Sequence, residues 1–310
     1  MKRTVPRDRS SPGAGLAPAI RRTLARARAS EFVYSSLGFY ARRRGGELAG
    51  PWLVVALEEV GVPPATTRKT LWRMEREGEL VSRRVGRVKR YRATPLSWAE
   101  IESGTDKILR PSAARWDGRW TVVAYAFDAD GRVERERIRA VLDAEGFGAI
   151  GPGVFVHPRD RGGRILTAAE DQGIVGRIRV FRGPRRGDDP DTAFVREVWD
   201  LGESARRYRR FLAGFSALAG RAAALPPATA FATRFAVVLA FLRAAWPDPE
   251  LPASLLPRDW PGPEARTLAA RLYRALLPGA LAHGDAIRER VQAPSNRLAP
   301  LWTAESHVGI

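Results

Sequence analysis

Between residues 63 and 94 the spacing of apolar positions changes period. Thr67, Leu71 and Met74 recur at i, i+4 and i+7, which predicts a helix with one narrow apolar stripe from Ala65 to Glu77, stopped by Gly78. From Leu80 to Ala93 the β-formers Val81, Val85, Val88 and Tyr91 predict a two-stranded ribbon that reverses near Gly86-Arg87. Upstream, Phe32, Val33, Leu37 and Tyr40 give a helical period that opens at Ser30-Glu31 and ends near Gly45-Gly46. Pro51 starts a second helix, from Trp52 to Val60, with Gly61 just past its end. Helix, helix, turn, helix, ribbon is the order of a winged helix-turn-helix, and the segment 30–95 is the size of one such module.

Further along the pattern shifts twice. Residues 1–29 are basic, rich in Pro, Ser and Gly, and show no apolar period up to residue 28; they read as an irregular tail. Residues 96–115 form a polar connecting helix and linker. From 116 to 183 the run is strand (Thr121 to Phe127), helix (Val133 to Glu145), strand (Val154 to Val156), helix (Leu166 to Gln172), strand (Ile174 to Phe181), which predicts a compact ferredoxin-like α/β domain. Residues 192–292 are helical, with Thr229 to Trp246 strongly apolar and central, and 293–310 are an irregular tail. The predicted class is therefore α+β and multidomain: winged helix-turn-helix, ferredoxin-like centre, helical C-terminal domain.

Charge sharpens the reading of the first module. The 310-residue chain carries a formal +18, and residues 1–94 hold 21 Lys and Arg against 8 Asp and Glu, most of that excess. Opposite the apolar stripe of the third helix stand Arg68, Lys69, Trp72, Arg73 and Arg76. Cations in a helix's first turn oppose its macrodipole, so intrinsic helix stability does not account for Arg68 and Lys69. The ribbon adds Arg83, Arg84, Arg87, Lys89, Arg90 and Arg92 with no acid among them. Such a ribbon repels itself unless a polyanion lies against it, and a DNA backbone is that polyanion. A solvated helix face beside a charged edge strand is the plainer account of the same residues.

Other chemistries are poorly supplied. No cysteine is present, so disulfides, thiol nucleophiles and cysteine-ligated zinc are excluded. His157, His283 and His307 lack metal-ligand spacing, and neither a metal nor a cofactor is expected. No apolar window reads as a bilayer span, because Arg234 and Arg243 bracket the best run; a cytoplasmic location without membrane contact is expected. Gly148, Gly151 and Gly153 precede a strand rather than open a helix, so they do not form a dinucleotide fingerprint.

The chain resembles the PaaX family of bacterial transcriptional regulators. The resemblance rests on TTRKTLWRMEREGEL at 66–80, RVGRVKRYRATP at 84–95, WDGRWTVV at 116–123, EGFGAIGPGVFVHP at 145–158 and PASLLPRDWPG at 252–262, taken in order. It implies a dimeric, non-enzymatic repressor that binds a double-stranded operator and leaves it when an acyl-coenzyme A effector binds, typically phenylacetyl-coenzyme A. The controlled operon would serve aromatic-acid catabolism. By residue type the resemblance assigns DNA contact to Thr66, Arg68, Lys69 and Arg73 on the helix and to Arg87, Lys89 and Arg90 on the wing; the charge pattern adds Arg76 on the helix and Arg83 and Arg84 on the ribbon. Trp72 is unusual on such a face; stacking on a sugar or a thymine methyl and packing beneath the wing are both open to it, and packing is the expected place. An acyl-thioester needs cations for its phosphates and an apolar slot. Arg115, Trp116, Arg119, Trp120, Arg159 and Arg161 are candidates by composition, and a packed domain boundary with solvated arginines explains each of them too.

Two alternatives remain from the residues. The central segment also resembles the small ferredoxin-like nuclease of CRISPR adaptation, whose strand-end carboxylate maps to Asp128, with Asp130 nearby, as Mg²⁺ ligands. Asp128-Ala129-Asp130-Gly131 reads more simply as a turn. The other alternative is a non-specific nucleoid binder, which would leave the long remainder of the chain without a purpose.

Overall fold

A computed structural model of the chain describes residues 16–110, 115–127, 131–174 and 177–292. Contacts divide it into two compact units. The first comprises the chain up to Leu109 together with Phe211–Leu242 and the segment from Ala265 onward; the second comprises Arg110–Arg210 with Arg243–Glu264. The architecture is mixed α and β, with two antiparallel sheets among the described residues.

In the first unit, helix α1 is Pro18–Ala25, α2 is Ala29–Phe39, strand β1 is Leu48–Ala49, α3 is Gly50–Glu58, and α4 is Pro64–Arg76. Strands β2 (Leu80–Val85) and β3 (Val88–Ala93) follow, and then α5 (Pro95–Leu109). Proline in the first turn starts both α3 and α4, where a missing N–H costs nothing. Gly78, at φ +73°, turns the chain out of α4 into the ribbon. The sheet order is β1-β3-β2, so the short β1 closes one edge of the ribbon by pairing Leu48 with Tyr91. Thr67, Leu71 and Met74 face inward and are buried.

The sequence-based expectation fails at the N-terminus. Pro18–Ala25, read as part of an irregular tail, is a helix whose Ile20 and Leu24 are buried. Two apolar residues at i and i+4 form too short a signal to stand out beside Arg21, Arg22, Arg26 and Arg28, yet they suffice once a partner surface covers them.

The C-terminal part of the first unit consists of α10 (Pro227–Ala245), α11 (Gly262–Ala275) and α12 (Leu277–Gln292), the first two crossing the division between units. By length and composition α10 could cross a membrane, contrary to the expectation that no segment could, and its apolar window is 67% buried inside the protein. Phe231 and Phe235 on α10 meet Phe32 and Phe39 of α2 edge to face, at centroid distances of 5.3–5.9 Å. Helix α12 lies within the segment 192–292 expected to be helical, although no separate helix was delimited after Leu277. It packs on α3, with Gly284 so close to Tyr40 that a Cβ there would lie 2.6 Å from the ring. Tyr40 stacks on Trp52 at 4.6 Å, the Trp52 Nε1–H donates to the Gly284 carbonyl at 2.8 Å, and the Tyr40 hydroxyl donates to Asp285 at 2.8 Å. Burial and the Asp285 carboxylate both push the Tyr40 phenol well above its usual range.

The second unit is built on β4 (Trp120–Tyr125), α6 (Arg132–Ala144), β5 (Gly148–Gly151), β6 (Val154–His157), α7 (Gly162–Asp171) and β7 (Ile178–Gly183). Its sheet order is β5-β6-β4-β7, and every neighbouring pair is antiparallel. Strand β5 was not foreseen either, because its Gly-Ala-Ile-Gly composition carries no β signal. Alternation along β4 buries both faces. Val123 joins Ile138, Leu142, Phe155 and Ile165 beneath α6 and α7, while Trp120 joins Val156, Val195 and Leu255 on the other side. That second layer comes from α8 (Asp191–Val198), the start of α9 (Leu201–Phe215) and the Pro-rich segment near residue 250.

Candidate nucleic-acid interface

The predicted DNA-contacting residues separate into two groups according to their surroundings. Thr66, Arg68, Lys69 and Arg76 on α4 are exposed, as are Arg84 and Arg87 at the ribbon tip. Among the described residues no carboxylate pairs with Arg68, Lys69, Arg76, Arg84 or Arg87. The other four cations are occupied. Arg73 pairs with Glu77 one turn on and lies 3.9 Å from Glu79. Lys89 donates to Glu75 at 2.6 Å, and Glu75 also accepts from Ser82. Arg83 reaches both oxygens of Glu47 at 2.7 and 2.8 Å, and Arg90 reaches Glu47 at 3.2 Å.

These pairs explain how a ribbon with no internal acid holds together. Arg83 and Arg90 are directly opposite each other in the β2–β3 register, as are Arg84 and Lys89. Like charges in such positions repel. Glu47 lies just before β1, and β1 pairs with β3, so the edge strand carries a carboxylate to the Arg83–Arg90 pair. Partial burial pushes the Glu47 carboxyl up, but hydrogen bonds and charge from Arg83 and Arg90 outweigh it and hold it below the usual carboxylate range. Hydrogen bonds from Lys89 and Ser82 hold Glu75 low as well. Sequence reading missed both acids. Glu75 was detectable as the one acid on α4; Glu47 sits in a loop 36 residues from Arg83 and carried no signal. Arg92, also exposed on β3, stands beside the assigned set.

Trp72 corrects an expectation. It does not pack beneath the ribbon; it is 58% exposed in the middle of the cationic face, and the Arg76 guanidinium lies 4.7 Å from its ring centroid.

The six effector candidates fall into two sets of contacts in the second unit. Trp116, Arg119 and Trp120 cluster at the start of β4. Trp116 Nε1–H donates to the Arg119 carbonyl at 3.1 Å, and the two indoles meet edge to face at 5.6 Å. Trp120 is buried and donates to Asp191. Arg115 and Arg119 are exposed. Arg159 and Arg161 are turned to the segment around Glu250 instead. Arg159 Nε donates to the Glu250 carbonyl at 2.9 Å, and Arg161 bridges the Glu145 carbonyl and the Glu250 carboxylate. Beside them His157, wholly buried, has Nε2 3.1 Å from the Pro249 carbonyl and accepts the Arg159 N–H at Nδ1. Burial and the nearby arginines push its pKa down to about 4, so the ring is neutral and donates from Nε2. The backbone held in this way includes Glu250 at φ +57°, a conformation non-glycine residues rarely adopt.

Asp128 and Asp130, the candidate Mg²⁺ ligands, lie outside the described residues. Among the described residues no group of three or more potential metal ligands occurs.

Family comparisons cover most of the same ground. Residues 28–95 match the PaaX-like protein model, 113–195 the PaaX protein central Cas2-like domain, and 199–286 the PaaX-like protein C-terminal domain. This chain belongs to the PaaX family. It is 27% identical over 261 residues to the transcriptional repressor PaaX of Escherichia coli strain K12, covering 82% of each protein. Among solved structures it resembles the uncharacterized protein Rv0674 from Mycobacterium tuberculosis at 25% identity, with a TM-score of 0.50 over 76% of this chain and 90% of that one. The matched N-terminal segment contains the whole α2–β3 region, so the exposed cations belong to the part of the chain shared with the PaaX-like model.

Proposed function

We propose that this PaaX-family protein is a transcriptional repressor that binds a double-stranded operator through a winged helix formed by α2, α3, α4 and the β2–β3 ribbon. The observation that carries the reading is the exposed, acid-free set Arg68, Lys69, Arg76, Arg84 and Arg87, split between one helix face and one ribbon tip. A helix of this kind enters the major groove while the ribbon lies along the backbone. Arginine on the helix offers bidentate hydrogen bonds to guanine, and the ribbon cations neutralise phosphates. Arg73, Arg83, Lys89 and Arg90 already hold carboxylates, so their part is to fix the ribbon beside α4 and to exchange partners only on contact with DNA. Similarity to the Escherichia coli repressor supports this role.

The finer features belong to the same proposal. The second unit, with strand order β5-β6-β4-β7 and helices α6 and α7 on one face, has the connectivity of a ferredoxin-like fold. The protein acts in the cytoplasm as a homodimer on two half-sites. A small acyl-coenzyme A thioester, phenylacetyl-coenzyme A or a relative, releases it by favouring a dimer whose spacing no longer matches. Arg115, Trp116 and Arg119 offer exposed cations beside an indole for such a ligand.

The test is binding of the purified protein to the DNA upstream of its own gene, with competitor DNA present, repeated with phenylacetyl-coenzyme A and other acyl-coenzyme A thioesters. Specific binding that weakens steeply with salt and is released by one thioester is the expected result. Binding that does not discriminate between upstream and random DNA would overturn the repressor reading. Specific binding indifferent to every thioester would overturn only the effector.

A further inference from the structure

Most large apolar side chains of the first unit are covered, and Trp72 is an exception for which the protein interior offers no reason. It sits on the third turn of α4, 58% exposed, one helical turn from Arg68 on one side and from Arg76 on the other, with Lys69 beside it. Arg68, Trp72 and Arg76 are spaced at i, i+4 and i+8 and all three are exposed, so they form one ridge along the helix face opposite the buried Thr67, Leu71 and Met74. The Arg76 guanidinium over the indole limits its rotation and leaves the rest of the ring open.

An isolated indole framed by unpaired cations is a poor core for a protein–protein contact, which draws charged residues to its rim and apolar ones to its centre over a much larger area. It does suit a groove in which phosphates flank the base edges. In the major groove of B-DNA only one base carries an apolar group, the 5-methyl of thymine. We propose that Trp72 is a specificity-determining residue that reads thymine, its ring packed on 5-methyl groups while Arg68, Lys69 and Arg76 engage the flanking phosphates and base edges. The inference rests on the repressor reading above and adds a base preference to it.

Deoxyuridine differs from thymidine only by lacking that methyl and pairs identically, so it isolates the contact. The protein's binding site is first located within its upstream DNA, and each thymine in it is then replaced singly by deoxyuridine. At one or two positions per half-site the wild-type protein should lose about four-fold in affinity, the value of one buried methyl. Trp72→Ala should bind the thymine site several-fold more weakly and show no thymine preference at those positions. Trp72→Phe should retain part of the preference. Because the side chain is on the surface, the unfolding midpoint of both variants should match the wild type, which separates loss of contact from loss of fold. Tolerance of deoxyuridine at every position, or an unchanged thymine preference in Trp72→Ala, would overturn the inference and leave the repressor standing. Absence of any specific site would overturn both.

Discussion

The arginines of the ribbon and α4 and those around His157 are the same chemical group placed in opposite circumstances. In the first unit Arg68, Arg84 and Arg87 are exposed with no acid beside them. In the second, Arg159 and Arg161 are drawn inward and spend their donors on the carbonyls of Glu250 and Glu145. Burial lowers the pKa of Arg159, an expense that only backbone acceptors and a nearby carboxylate offset. One set is available to a polyanion and adds little to stability; the other is part of what holds the fold together. Composition alone treats them alike, and a count of cations therefore overstates the number of DNA contacts.

The largest expected effect tests the exposed set. Replacing Arg68, Lys69, Arg84 and Arg87 together by alanine should make the plot of log affinity against log salt shallower by about three to four, because each phosphate contact contributes about 0.9. The unfolding midpoint should stay close to that of the wild type. A variant that melts early or keeps the wild-type salt slope would break the comparison from this side.

Arg161→Ala tests the inward set. It leaves the Glu250 carboxylate and Glu145 carbonyl short of a donor in a mostly buried place and should cost about 3 kcal/mol in chemical denaturation. The DNA salt slope should not change. His157 gives the same loop a pH signature. Its folded pKa, about 4, is below the ordinary 6.5, so the unfolded chain binds the proton more readily. Stability contributed by the neutral ring is therefore complete above pH 6.5 and is lost as pH falls toward 4, by roughly 3 kcal/mol. His157→Gln should flatten that part of the stability profile; an unchanged slope would show that the ring is not the group being titrated.

Two smaller effects sharpen the comparison within the first unit. Gly284→Ala drives a methyl into Tyr40 and should destabilise by about 2 kcal/mol, measured by thermal or denaturant unfolding. Glu75→Gln releases Lys89 from its carboxylate, so it should strengthen binding to random DNA by less than about ten-fold and steepen the salt slope by about one. Weaker binding instead would mean that Glu75 acts by shaping the ribbon rather than by competing with phosphate.

Much of the candidate interface was legible because its signals are local. The i, i+4, i+7 stripe of α4, its proline start, its glycine stop and the cation-rich ribbon all lie within 30 or so residues; observed and expected bounds differ by one residue for the helix and coincide for the ribbon. The same local rules fail where a neighbour provides the stabilisation. Strand β5 has a composition that favours no strand and exists because β6 offers a free edge. Helix α1 is an arginine-rich octet ordered by the burial of two side chains.

Local spacing also determined which residues share a face, and hence that Arg68, Trp72 and Arg76 stand together, since a helix repeats every 3.6 residues whatever surrounds it. It could not determine which of those side chains would remain uncovered. Trp72 is open, Arg83 and Arg90 are tied to Glu47, and Tyr40 is tied to Asp285 across 245 residues of chain. Pairing and exposure depend on which distant segments the tertiary structure brings within hydrogen-bond reach, roughly 3 Å, and contacts of that range leave no periodic trace along the sequence.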